Sequence, residues 1–296
     1  MHTDFYTFNE SLWESVANSR PVLLHFFDGF MDAGNVSDTL TDYILKSTEP
    51  EVLAEFDLDL THDYRARRPK MIFDTDEWRS VEEIRLTLYL ARDLVGRPFL
   101  LLAGPEPDMR WHVLRNAIVD LIDRLAIPLT VTAHGVPMAV PHTREVPLTT
   151  HATSESFKRK NPGWVDRIEV PGSFSAYLEL GLGQRGHQAM GLVAHVPHYL
   201  AQGTYLRAAE IALDRIMQVT GLRLPADRLR SDARDNIDVI NAEAQANPEV
   251  EQVIEALETQ YDSYSTSEAA DLPTAEELGA EFERFLAEQD PKSSSD

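Results

Sequence analysis

The segment FLLLAGPEPDMRWHVL, from Phe99 to Leu114, contains the pattern that decides the fold. A short apolar run leads directly into Gly-Pro-Glu-Pro-Asp, and an arginine and a tryptophan follow at once. Continuous apolar runs of this length are typical of strands that are buried on both faces of a parallel sheet. The segment therefore predicts a buried strand, then a stiff loop, then a helix.

Three other runs have the same character and predict three more strands of this kind: Val22–Phe27, Leu129–Ala133 and Met190–Val196. A fifth run, Ile84–Ala91, alternates instead, with leucines at every second position. Alternation is typical of a strand with one buried face, so this run predicts an edge strand or a one-sided strand.

Helical patterns separate these runs. We expect helices from Asn35 to Lys46, from Asp108 to Leu125 with Asp108 as the N-cap, and from Pro197 to Gly221. Strands and helices that alternate in this way predict an α/β domain over residues 1–224, a three-layer sandwich with a mostly parallel sheet between helices.

The last part of the chain reads differently. Residues 225–296 contain three helical patterns and 19 acidic against 5 basic residues, a net −14 of the −22 for the whole chain. We expect an acidic helical region with a linker near "SYSTSEAADLP" and a disordered end, "DPKSSSD". This region is interpreted either as a solvated helical face and tail or as an acidic surface for a basic partner.

Composition excludes several classes of function. The chain has no cysteine, so disulfides, thiolate metal sites and a cysteine nucleophile are excluded. A net charge of −22 disfavours nucleic acid as a partner, because phosphate binding needs clustered Lys and Arg. No apolar run approaches the roughly 20 residues that cross a bilayer, and we see no secretory signal. We therefore expect a cytoplasmic protein without a membrane partner.

Polar residues follow each of the four predicted parallel strands. In an open parallel sheet, ligands bind outside the carboxyl ends of the strands, so these loops predict a single crevice. No catalytic residue is assigned, and the candidate ligand-binding residues are Asp28, Asp32, Glu106, Arg110, His142, Arg144 and His198.

Arg110 has two interpretations. It follows Asp108 in the first turn of the predicted helix, where the helix dipole disfavours a cation. Either an ion pair with Glu106 or Asp32 compensates, or Arg110 and Arg144 together complete a site for a phosphate or carboxylate.

Two motifs are set aside. His195 and His198 form H-x-x-H, but Pro197 separates them, so they do not share a helix face as metalloprotease histidines do; no metal or cofactor is predicted. The stretch GLGQRG, Gly181–Gly186, matches G-x-G-x-x-G, but it follows a helical pattern and precedes a strand, the reverse of the dinucleotide-binding order. We interpret it as a helix end and a turn.

Five stretches together carry a family resemblance: "GFMDAGNVSDTL", "LLAGPEPDMRW", "PHTREVPLTTHAT", "PGSFSAYLELGLGQRGHQAMGLVAHVPHYL" and "LPTAEELGAEFERFL". With them, most of the chain resembles the proteasome assembly chaperone family of the second type, and more closely its actinobacterial branch of uncharacterised proteins. The resemblance implies a fold similar to the nucleoside phosphorylase and hydrolase group. It also implies a cytoplasmic homo-oligomer, with a trimer as one expected state, and it supplies no catalytic residues.

One departure from the family concerns docking. Relatives that dock on the proteasome often end in a hydrophobic-Tyr-X tail, whereas this sequence ends in "KSSSD", and its nearest match, "QYDSY", is internal. The resemblance therefore does not extend to docking by that tail.

Three hypotheses follow. The first is a non-enzymatic assembly or binding factor that acts as a homo-oligomer and binds a protein partner. The second is a phosphorylase-like or hydrolase-like enzyme or sensor that binds a small anionic ligand in the crevice, with Glu106 or His198 as acid or base. The third is a structural interaction module with an acidic helical tail.

Overall fold

The computed structural model describes residues 5–157 and 167–266. The described strands are β1 (Tyr6–Phe8), β2 (Leu23–Asp28), β3 (Glu51–Phe56), β4 (Met71–Asp74), β5 (Glu77–Val81), β6 (Leu86–Arg92), β7 (Pro98–Pro105), β8 (Thr130–Met138), β9 (Leu148–Ala152) and β10 (Ala189–Pro197). The described α-helices are α1 (Glu10–Val16), α2 (Val36–Thr48), α3 (Trp111–Arg124), α4 (Phe174–Gln184), α5 (Leu206–Thr220), α6 (Asp227–Gln245) and α7 (Pro248–Thr266).

A large sheet with the strand order β1-β3-β6-β7-β2-β8-β10-β9 forms the centre of the molecule. Its inner four strands, β7, β2, β8 and β10, run parallel, and they are the four strands predicted from continuous apolar runs. The outer strands are antiparallel to their neighbours, so the sheet is mixed, with its parallel part in the middle. The predicted α/β fold is confirmed.

Helices cover both faces of this sheet. Alternate residues of the central strands enter two hydrophobic clusters: Leu24 and Phe26 pack with α2, α5 and α6, while Leu23 packs with α1, α3 and α4. Both faces are thus buried, which explains why the inner strands are mostly apolar. Polar residues within them, such as His25 and Thr132, are buried as well.

The prediction of an edge or one-sided strand at Ile84–Ala91 is wrong. β6 lies between β3 and β7, and both of its faces are buried. Leu88 enters one cluster and Ala91 the other. The alternation in the sequence separates leucines from smaller or more polar residues rather than buried positions from exposed ones.

Two predicted helix starts are also wrong. α3 begins at Trp111, because Arg110 adopts a left-handed backbone (φ 60°), and Asp108 does not cap it. The helix predicted to begin at Pro197 begins later. Pro197 is the last residue of β10, His198–Leu200 form a short 3₁₀ turn, and α5 begins at Leu206. Its predicted end at Gly221 is confirmed (φ 71°).

The region after residue 224 is helical as far as it is described. Leu229 and Ile240 of α6 belong to the cluster on the α2–α5 side of the sheet, so this region packs on the α/β core. The last predicted helix, most of the linker and the predicted disordered end lie outside the described residues. The turn predicted at Gly181–Gly186 is confirmed: α4 ends at Gln184, and Gly186 has φ 80°.

Candidate functional site

The loops after β2, β7, β8 and β10 open at one edge of the sheet, because these strands run parallel. The predicted crevice residues all lie at this edge, but they do not form one site. Asp28, Asp32 and Glu106 are close together, His142 and Arg144 contact the C-terminal helices, and Arg110 and His198 lie apart from both groups.

Asp32 holds the loop after β2 in place. Its Oδ2 accepts hydrogen bonds from the backbone nitrogens of Ser37 (2.8 Å) and Asp38 (3.3 Å), which caps α2, and its Oδ1 accepts from Gly135 (2.9 Å). A Cβ at position 135 would lie 1.9 Å from the carbonyl oxygen of Ala33, so only glycine allows β8 to approach the loop this closely. Burial raises the pKa of Asp32, although these backbone hydrogen bonds oppose the shift.

Asp28 and Asp38 are joined by a side-chain hydrogen bond, and together with Asp32 they line a pocket of about 320 Å³. Burial and the neighbouring Asp38 carboxylate raise the pKa of Asp28 to about 7. A group of three carboxylates this close favours sharing a proton over full ionisation. The pocket is therefore acidic, which disfavours a phosphate or carboxylate ligand.

Glu106 and Arg67 lie next to Asp28 and Gly29, at one side of this pocket. The Glu106 carboxylate accepts from the backbone nitrogen of Phe174 at the start of α4, and burial raises its pKa against that hydrogen bond. Arg67 donates to the backbone oxygen of Glu106 and forms an ion pair with Asp108 (2.8 Å). Burial opposes the charge of Asp108, but Arg67 and the Asp63 backbone nitrogen outweigh it and hold the Asp108 pKa below its usual range.

Arg110 does not pair with Glu106 or Asp32. Among the described residues it forms no ion pair, and its guanidinium lies over the ring of Phe5, 5.8 Å from the ring centroid. His198 is exposed, with its ring 5.5 Å from that of Tyr199.

His142 and Arg144 bind the C-terminal helices. The Nε2 of His142 contacts Oδ1 of Asn241 on α6 at 3.0 Å, and its Nδ1 contacts the Tyr199 hydroxyl at 2.7 Å. Arg144 donates to both carboxylate oxygens of Asp262 on α7 (2.9 and 2.8 Å) and to Glu258 (3.1 Å). The Arg144 guanidinium is therefore bound by carboxylates of its own chain. Arg144 and Arg110 do not come together to form a cationic site at the acidic pocket.

Two residues of this site, Asp38 and Arg67, are not among those predicted from the sequence. Asp38 stands in "GFMDAGNVSDTL", six residues after Asp32, and lies within the predicted helix from Asn35 to Lys46. Arg67 stands in "RARRPK", where four of six residues are basic in an acidic chain, and this is the one signal that singles it out. Among the described residues, no group of three or more His, Cys, Asp or Glu side chains is arranged to hold a metal ion. None of the described helices is long and apolar enough to span a bilayer.

The acidic pocket makes stability depend on pH. The folded-state pKa of Asp28 is raised from 3.8 to about 7, so the folded protein binds a proton that the unfolded chain has released, and stability falls as pH rises between these values. From pH 5 to pH 8 we expect a loss of about 1 kcal/mol, since the open pocket screens much of the repulsion. Urea unfolding of the Asp28→Asn variant at both pH values should show a smaller loss.

The control for this experiment is Asp42→Asn, which removes an exposed carboxylate on α2 that forms an ion pair with Lys46. It should keep the wild-type pH dependence. An Asp28→Asn variant with an undiminished pH dependence would contradict the assignment.

Comparison with known proteins identifies a family and several structures that this chain is similar to. The PAC2 family model matches residues 26–243. A Mycobacterium tuberculosis protein of unknown function is 36% identical, with a TM-score of 0.83 and 98% of each chain covered. A Corynebacterium glutamicum protein of unknown function is 32% identical, with a TM-score of 0.80 and coverage of 88% of this chain and 97% of that chain.

A third structure, the Mycobacterium tuberculosis proteasome-assembly chaperone homologue, is 24% identical; its TM-score is 0.71, and 79% of this chain and 99% of that chain are covered. At that identity the likeness shows the fold alone. A comparison with curated proteins gave no match. The family match begins within β2, includes the acidic pocket and ends within α6, and this chain therefore belongs to the PAC2 family.

Proposed function

We propose that this protein is a non-enzymatic assembly factor, a cytoplasmic homo-oligomer that binds another protein chain while a larger complex forms. The family relation supports the proposal, because one structure of the same fold is described as a proteasome-assembly chaperone homologue. The proteasome is accordingly the first complex to test.

The observation that carries the proposal is the engagement of Arg144 by Asp262 and Glu258. In α/β enzymes the loops at this edge of the sheet hold substrate. Here the loop after β8 uses its cation and its histidine to hold α6 and α7 against the core. The edge of the sheet thus serves to attach helices, which is the use expected of a binding scaffold.

The alternative function, an enzyme or sensor for a small anionic ligand, needs a cationic crevice. Arg110 and Arg144 lie in separate surroundings, and the pocket beside Asp28 is lined by three carboxylates. These observations weigh against the alternative. An Arg110→Ala variant that binds phosphorylated metabolites as well as wild type would count further against it.

Native mass spectrometry of the protein, purified gently from its own cells, tests the proposal. We expect a defined oligomer that retains a second protein at fixed stoichiometry, with proteasome subunits the first to be sought in the bound fraction. The same preparation from cells carrying an unrelated tagged protein is the control. Repeated recovery of the protein alone, or with a bound small anion, would contradict the proposal.

A further inference from the structure

The hairpin formed by β4 and β5 stands apart from the large sheet, since among the described strands these two pair only with each other. Met71 lies opposite Val81 and Phe73 opposite Trp78, so these four side chains share one face of the hairpin. They are 50%, 49%, 55% and 63% exposed. The rings of Phe73 and Trp78 contact each other edge to face, with centroids 5.0 Å apart.

This apolar face is as extensive as the largest apolar patch of a typical monomer. At roughly 200 Å² for a large side chain, the four leave on the order of 400 Å² exposed in one patch. The largest patch on a typical monomer is of that size and often has a function. A two-stranded hairpin is also at best marginally stable alone in water, so a surface that covers this face would stabilise it.

The residues that lead into the hairpin are basic. Arg65, Arg68 and Lys70 are exposed, and their side chains form no ion pair with other described residues. In a chain with a net charge of −22, a cationic site next to an apolar face is unusual and suggests an acidic partner.

The chain itself contains a surface of the complementary kind. α7 has five acidic residues and no basic residue. Glu249, Glu251 and Glu255 are exposed and form no ion pair within the described chain. Val253 on α7 and Val239 on α6 are 43% and 56% exposed, so the two helices also offer apolar contact among their carboxylates.

We propose that the hairpin of one copy binds the outer face of α6 and α7 on a second copy, with its apolar face against the valines and its basic residues against the glutamates. The two surfaces differ, so the contact is head to tail, and repeated contacts close a ring when the rotation between copies permits. This inference rests on the self-association in the proposed function and assigns the surface that makes it.

The first test compares Trp78→Glu with Ser80→Glu by native mass spectrometry and light scattering across a dilution series. Ser80 lies opposite Ile72, on the other face of the same hairpin, so the control adds the same charge to the same element. We expect Trp78→Glu to raise the dissociation constant of the oligomer at least about 30-fold, as for an aromatic residue at the centre of an interface. Ser80→Glu should leave it within a few-fold of wild type.

A charge exchange tests the partner surface. Arg65→Glu, Arg68→Glu and Lys70→Glu together should weaken the oligomer, as should Glu249→Lys, Glu251→Lys and Glu255→Lys together. Combining the two sets in one chain should restore most of the affinity, because the charges are then exchanged across the contact. Failure of the combined variant to recover would overturn the proposal.

Cross-linking gives a measurement that does not depend on variants with altered stability. The sequence has no cysteine, so Asp76→Cys at the turn of the hairpin carries the only thiol for a photoreactive maleimide. In an oligomer of mixed ¹⁴N and ¹⁵N copies, peptides from residues 227–266 should be linked to the hairpin of the other isotope.

The outcomes separate the two proposals. An oligomer that Trp78→Glu leaves intact, or cross-links only within one copy, would overturn the hairpin contact while self-association stands. A monomeric wild-type protein would overturn both this inference and the self-association on which it rests.

Discussion

Replacing Asp32 with alanine is expected to lower the free energy of unfolding by about 3 kcal/mol, because three backbone N–H groups lose their acceptor. Ser37 and Gly135, which supply two of them, are buried, so water cannot easily replace the carboxylate. Asp32→Asn keeps one accepting oxygen and should cost about half as much. Urea unfolding followed by circular dichroism gives these values.

The matched control for this change is Asp38→Ala, in the same pocket. Asp38 raises the pKa of Asp28 by like-charge repulsion, so its removal should change stability by less than about 1 kcal/mol and in the favourable direction near pH 8. Equal losses from the two variants would mean that Asp32 acts through pocket charge rather than through its hydrogen bonds.

Leu229→Ala should destabilise the protein by about 3 kcal/mol, as expected for a buried leucine cut back in a packed core. Leu229 is 2% exposed and lies in the cluster shared by the central strands and α5. The expected transition is single, with α6 unfolding together with the sheet, which differential scanning calorimetry would detect.

Val239→Ala is the control, since Val239 lies on the same helix and is 56% exposed. It should change stability by less than about 0.5 kcal/mol. A Leu229→Ala variant with an unchanged main transition and a new low-temperature step would show instead that α6 and α7 form a separable appendage, as in the hypothesis of a module with an acidic tail.

The inner strands are predictable because their burial on both faces appears in the sequence as a mostly apolar run without regular alternation of apolar and polar residues. The prediction of an edge or one-sided strand for β6 is wrong, because the alternation there is one of residue size: Leu88 and Ala91 differ in size but are equally buried. An alternation of apolar and polar residues indicates one buried face only where the other face of the strand contacts water. In β6 the other face belongs to the hydrophobic cluster that also contains residues of α2 and α5.

The candidate site was less predictable because its partners are distant in sequence. Asp108 was assigned as a helix cap from local rules, but Arg67 and the Asp63 backbone nitrogen compete for its carboxylate. The partners of His142 and Arg144 lie on α6 and α7, about a hundred residues further along. Local patterns located these loops at the correct edge of the sheet, and only the tertiary fold determines which side chains meet.

The position of β10 between β8 and β9 has a consequence for synthesis on the ribosome. Of the strands that the structure describes, β10 is the only one that β9 pairs with, so β9 cannot join the sheet until residues 189–197 have been made. At about 5–20 residues per second, the segment between them takes several seconds, during which the edge of β8 has open hydrogen-bonding groups. During this interval the open edge of β8 can pair with strands of other chains, and a chaperone bound to the ribosome would reduce that risk.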